Sequence, residues 1–185
     1  LMPLRRHVLH ALAAGLLGAR PAAAQAPPGV VRASAVKAAF LYKFGSFVEW
    51  PPGSFAGTQA PLAIGVWGDD EVARELEQIT AGRLVEGRPV RVLRVHEAEP
   101  LPRMHILYCG GNREARMREL LAAARGPVLT VADGPAGARV GAVLHFTEDE
   151  GRVRFNASLT AAARRGLKLS AKLLAVAQDV EGRTP

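Results

Sequence analysis

This 185-residue chain has a single cysteine, Cys109, so no intrachain disulfide can form and stability must come from a packed core. Cys109 ends the apolar run 105–109 and reads as a buried small hydrophobe, with an intermolecular bridge as the alternative. Catalytic signatures are also missing. No serine sits in a Gly-x-Ser-x-Gly elbow, and His96, His105 and His145 lack the paired spacing of a zinc site. The run Gly110-Gly111-Asn112 is not a dinucleotide fingerprint. These absences point away from an enzyme, and no cofactor or metal is expected. Nor is there a basic stripe. The net charge of +7 arises from 24 basic and 17 acidic residues that are interleaved, which argues against nucleic acid as a partner.

Aromatic side chains are scarce: six Phe, two Tyr and two Trp. Five of the ten nevertheless fall between Phe40 and Trp50. Within that stretch Val36, Phe40, Phe44, Phe47 and Val48 recur at the spacing of one helical face. Ser34 is the expected N-cap, and Pro51-Pro52 is the expected stop. A helix of this kind supplies the bulky part of a core.

Residues 1–24 read as a targeting segment and not as part of the fold. Arg5-Arg6 form a basic start, a short apolar stretch follows, and Ala22-Ala23-Ala24 suit a signal peptidase. The apolar stretch falls short of the roughly 20 residues that a spanning helix needs. The expectation is a cleaved export signal, a mature start at Gln25, a flexible segment 25–33, a domain over 34–180 and a tail 181–185. Three arginines and no acid lie in residues 1–24, so the charge without them is +4. No second run of spanning length follows, and the expected location is the periplasm.

Beyond the Pro/Gly-rich stretch 51–61, which reads as a linker, the chain alternates strand and helix patterns. Strands are expected at 62–67, 90–95, 106–109 and 128–132, with helices opening at Asp69-Asp70 and over 113–124. In the latter helix Met117, Leu120, Leu121 and Ala124 share a face. Residues 141–147 and 152–158 flank a polar turn that ends in Gly151 and read as a hairpin. A short helix over 159–165 and a last one over 171–179, capped by Ser170, complete the pattern. In the last helix Leu173, Leu174 and Val176 are expected to face inward. The fold class is one layered α/β/α domain with a mixed, largely parallel sheet and a C-terminal hairpin plus helix. If the sheet is parallel, Gly68, Asp69, Gly110, Asn112 and Asp133 share its carboxyl edge, the usual ligand edge of open α/β sheets. Simple turn chemistry explains the same residues.

The block 36–51, the strand pair 105–108 and 128–133, and the terminal block 153–177 together resemble the YfiR family. The resemblance runs in order across nearly the whole of the expected mature chain. It implies an exported α/β domain that binds another protein instead of turning over a substrate. By that resemblance the chain represses an inner-membrane diguanylate cyclase, or a related sensor protein, through its periplasmic region. Cyclic-di-GMP signalling and biofilm formation then fall. An outer-membrane lipoprotein is a further implied partner, and a homodimer is left open. Cysteine pairs of such members have no counterpart here beyond Cys109. Phe47 and Trp50, near the end of the aromatic helix, are the candidate partner contacts. The alternative is a periplasmic small-molecule sensor that uses the carboxyl edge of the sheet.

Overall fold

Helix α1 (Ala33–Phe47) is apolar on more than one side, because it packs against the sheet and against neighbouring helices. The computed structural model describes residues 32–96 and 100–182. The expected signal peptide 1–24 lies outside them, as do residues 25–31 and 183–185. Ser34 is not the N-cap: α1 starts two residues earlier than that cap would give, and Arg32 takes the capping position without a side-chain hydrogen bond. Nor does the helix run to the prolines. Val48 turns extended and begins strand β1 (Val48–Glu49). The fully buried positions of α1 are Ala38, Leu41, Phe44 and Gly45, a face rotated from the expected one. Val36 and Phe47 are half-buried, and Phe40 leans sideways on Phe44, Phe146 and Phe155. Gly45 explains the rotation. A Cβ there would lie 2.5 Å from Leu62 Cδ2 and 3.0 Å from Val85 Cγ1, so its missing side chain lets α1 settle onto the sheet along this line.

Strand β2 (Leu62–Trp67) leads into helix α2 (Asp70–Thr80), the two-residue β3 (Leu84–Val85) and β4 (Arg88–Arg94). Next come β5 (Ile106–Cys109), α3 (Glu114–Ala123), β6 (Leu129–Asp133), the single turn α4 (Ala136–Arg139), β7 (Leu144–Asp149) and β8 (Arg152–Ser158). The described chain closes with α5 (Leu159–Arg164), β9 (Lys168–Leu169), α6 (Ala171–Val176) and β10 (Asp179–Glu181). The eight-stranded sheet has the order β10-β8-β7-β6-β5-β2-β4-β3. Its centre, from β7 through β4, is parallel; the β7–β8 and β3–β4 pairs are antiparallel. A mixed, largely parallel sheet is the expected class. Both hairpins turn over two residues with positive φ, Glu86-Gly87 and Glu150-Gly151, which matches the twist of the flanking strands.

The alternating side chains of the buried strands feed two cores. Leu62, Ile64, Val66, Ile106, Tyr108, Leu129, Val131, Leu144 and Phe146 face α1 and α2. Ala63, Trp67, Leu107, Cys109 and Ala132 face α3 and α4 on the other side. Continuous burial on β2 and β5 is what a parallel sheet covered on both faces requires. The C-terminal end departs from the expected single helix over 171–179. Ser170 does cap α6 by accepting the Leu173 N–H, but the helix ends at Val176 and Asp179 opens the edge strand β10, parallel to β8. Val176, expected inside, is 65% exposed, because the helix stops before it can be covered. A second small sheet pairs β1 with β9, Val48 opposite Leu169 and Glu49 opposite Lys168.

Candidate functional site

The parallel strands β2, β5 and β6 bring Gly68, Asp69, Gly110 and Asp133 to one edge, as their spacing implies. Helices α2 and α3 leave β2 and β5 toward opposite faces there, the arrangement that opens a crevice in doubly wound sheets. At this edge two backbone segments approach closely. Gly68 has φ +77, and a Cβ on it would lie 2.7 Å from the Gly110 carbonyl oxygen. A Cβ on Gly110 would lie 2.6 Å from Asp69 Cβ. Asp69 caps α2 by accepting the Val72 N–H at 3.0 Å. The buried Tyr108 donates its hydroxyl to the other Asp69 oxygen at 3.4 Å. Burial, then the charges of Asp133 and Asp69, push the Tyr108 phenol well above its ordinary value. Asp133 accepts from Lys37 Nζ at 2.7 Å, both side chains being mostly covered. Asn112 is exposed in the turn before α3, where its carbonyl accepts the Glu114 N–H. Each carboxylate at this edge already has a structural partner.

The opposite, amino edge is different. Trp50 packs edge-on against Phe55 and His105, and Phe55 stacks on His105 with ring centres 4.1 Å apart. Ala63 N–H donates to His105 Nδ1 at 3.0 Å. The ring proton therefore sits on Nε2, which donates to the Ser54 carbonyl at 3.1 Å. Burial holds the His105 imidazole below its ordinary value, so it is a neutral tie between the loop and β2. Arg88 stacks on Phe55, 4.0 Å from its centre, and one of its nitrogens donates to the carbonyls of Gly57, Thr58 and Ala60. The segment 51–61, which reads as a linker in sequence, is thereby pinned at several points. It forms one wall of an open groove of about 760 Å³ that also meets Arg91, Leu93, Leu101, Arg103, Met104 and Arg125. A second groove of about 630 Å³ lies beside it, past Gly126 and Pro127.

Phe47 and Trp50 are both half-buried and packed against the first core. Trp50 Nε1 is buried and has no hydrogen-bond partner among the described residues. Cys109 is wholly buried, and burial pushes its thiol up to about 12, which keeps it a protonated hydrophobe. Among the described residues no group of three or more His, Cys, Asp and Glu side chains gathers to hold a metal. His145 packs over Gly137, and its Nε2 lies 3.3 Å from Asn156 Nδ2. The groove arginines come from three separate segments, so no spacing within one element could have assembled them in sequence. The prolines of 51–61 were the available signal, and they are as common in linkers as in rigid walls.

A family model described as YfiR/HmsC-like matches residues 34–178, from the first turn of α1 to the residue before β10. The chain belongs to this family. The YfiR/HmsC-like family is regulatory, and its theme is cyclic-di-GMP signalling. No curated protein matches the chain. Among solved structures, a conserved domain protein from Vibrio cholerae O1 biovar El Tor aligns at a TM-score of 0.50 with 13% identity. That alignment covers 65% of this chain and 55% of the other, so this chain spans just over half of that protein's length. At that identity the likeness concerns the fold. Among the described residues no helix is long and apolar enough to cross a membrane.

Proposed function

We infer that this chain is a periplasmic regulatory protein that represses an inner-membrane diguanylate cyclase, or a related membrane sensor, by direct protein contact. The family match over residues 34–178 carries the reading, because it takes in all of the layers described above except the edge strand β10. The chemistry of the polar groups supports it. Asp69, Asp133 and His105 are each engaged in holding the fold, and Cys109 is a buried thiol. Regulation by contact requires different affinity for two states of the partner: a tenfold preference moves the balance by about 1.4 kcal/mol. Phe47 and Trp50 are contact candidates, since both are only half-buried, and Trp50 also packs against Phe55 of the pinned segment 51–61. An outer-membrane lipoprotein that competes for the same surface would relieve repression.

The test uses the exported protein and the isolated periplasmic sensor region of a cyclase from the same cell. Binding measured by calorimetry, together with higher cyclic-di-GMP and more biofilm when the chain is deleted, is expected. Unchanged cyclic-di-GMP on deletion, with no binding to the sensor region, would reject this function.

A further inference from the structure

The amino-edge groove gathers three arginines, unpaired among the described residues, around an apolar floor. Arg94 is paired with Glu77 and Asp70, Arg118 and Arg139 with Glu114, and Arg116 with Glu119. Arg91, Arg103 and Arg125, all exposed and all lining the groove, have no hydrogen bond or ion pair with another described residue. None of the described residues that line it is an Asp or a Glu. Between the arginines the floor is apolar: Met104 is buried, and Leu93 and Leu101 are half-buried. An apolar centre inside a charged rim is the layout of a protein interface. A small-molecule pocket would instead enclose most of its ligand and converge buried polar groups on it.

The groove is also formed in advance. Arg88 and His105 hold the wall 51–61 in place through the Gly57, Thr58, Ala60 and Ser54 carbonyls. On the far side Arg165 donates to the Leu121 and Ala124 carbonyls, both at 2.7 Å, and so satisfies the C-terminal end of α3 that would otherwise repel an anion. Rigid walls reduce the ordering cost of binding.

We propose that this groove is the docking site for an acidic segment of a partner protein, with carboxylates at Arg91, Arg103 and Arg125 and an apolar side chain over Leu93, Leu101 and Met104. The site deepens the protein-binding reading above, but it is testable without any cyclase. The probe is a fluorescein-labelled peptide of alternating Glu and Leu, titrated by anisotropy against the exported protein at low and high salt. Saturable binding is expected. A Leu→Ser peptide should bind more weakly, and a Lys-for-Glu peptide should not bind. Each single Arg→Ala change should weaken binding about two- to five-fold, the range of a partly exposed ion pair. The triple change R91A/R103A/R125A should weaken it about eight-fold or more with an unchanged melting temperature.

The control R74A/R152A/R154A removes the same charge from exposed positions outside the groove lining. Equal losses in both triple variants would reduce the effect to net charge and overturn the site. Equal binding of the Leu and Ser peptides would overturn the apolar floor. If octanoate or phosphatidylglycerol vesicles depend on the three arginines while the peptide does not, the occupant is a small amphiphile or a membrane, and the proposal fails. Failure of the sensor-region experiment alone would leave peptide binding standing and remove only the identity of the partner.

Discussion

Replacing Leu41 by Ala tests the rotation of α1 most directly. The aromatic spacing in sequence places Val36, Phe40, Phe44, Phe47 and Val48 on the core face, whereas the fold buries Ala38, Leu41, Phe44 and Gly45. Leu41 is 0% exposed and belongs to the core that joins α1, α2 and the sheet. Truncation removes about three methylene equivalents, roughly 2.4 kcal/mol of transfer free energy, and the unfilled cavity raises the cost to about 3–4 kcal/mol. In a domain of this size that lowers Tm by roughly 6–16 °C. Val36→Ala removes about two such groups from a half-buried site and should cost under about 1 kcal/mol. Urea unfolding followed by far-UV circular dichroism measures both variants, provided the slope m stays constant. If Val36→Ala costs as much as Leu41→Ala, or Leu41→Ala costs under about 1 kcal/mol, the rotated register is wrong.

Other consequences follow from the same contacts. Gly68→Ala should destabilise by about 2 kcal/mol or more in urea unfolding, because φ +77 is strained for alanine and the new methyl group meets the Gly110 carbonyl. Cys109 should resist a thiol reagent at neutral pH in the native protein and react only as fast as the fold opens; rapid labelling would contradict its burial. His105 and His145 are both held below the ordinary imidazole value by burial. Their contribution to stability is therefore complete above about pH 6.5 and falls as pH drops toward their lowered folded values, since the unfolded chain protonates first. Denaturation midpoints between pH 7.5 and 4.5 check this, and His105→Gln should flatten the slope. Arg165→Ala should cost about 1–3 kcal/mol by leaving the Leu121 and Ala124 carbonyls without their donor, with Arg165→Lys recovering part of it.

Much of the fold was legible because its signals are local. The continuous apolar runs of β2 and β5, the Gly-ended turn before β8, the acids at the start of α2 and Ser170 before α6 each act within a few residues. The family, too, is carried by ordered local blocks. Those spacings by themselves determined the order of the main elements, a largely parallel sheet and the meeting of Gly68, Gly110 and Asp133 at one edge. Tertiary structure decided what happens at that edge. How closely two backbones approach there is a matter of packing, and Gly68 and Gly110 come close enough that neither has room for a side chain. It also decided the rotation of α1, because a helix with apolar residues on several sides has no single preferred face until Gly45 meets Leu62 and Val85. The pairing of β1 with β9 joins Val48 to Leu169, and the groove unites Arg91, Arg103 and Arg125 from three segments. Contacts so distant in sequence leave no periodic trace, because they depend on where separate elements stop and pack and not on spacing inside any one of them.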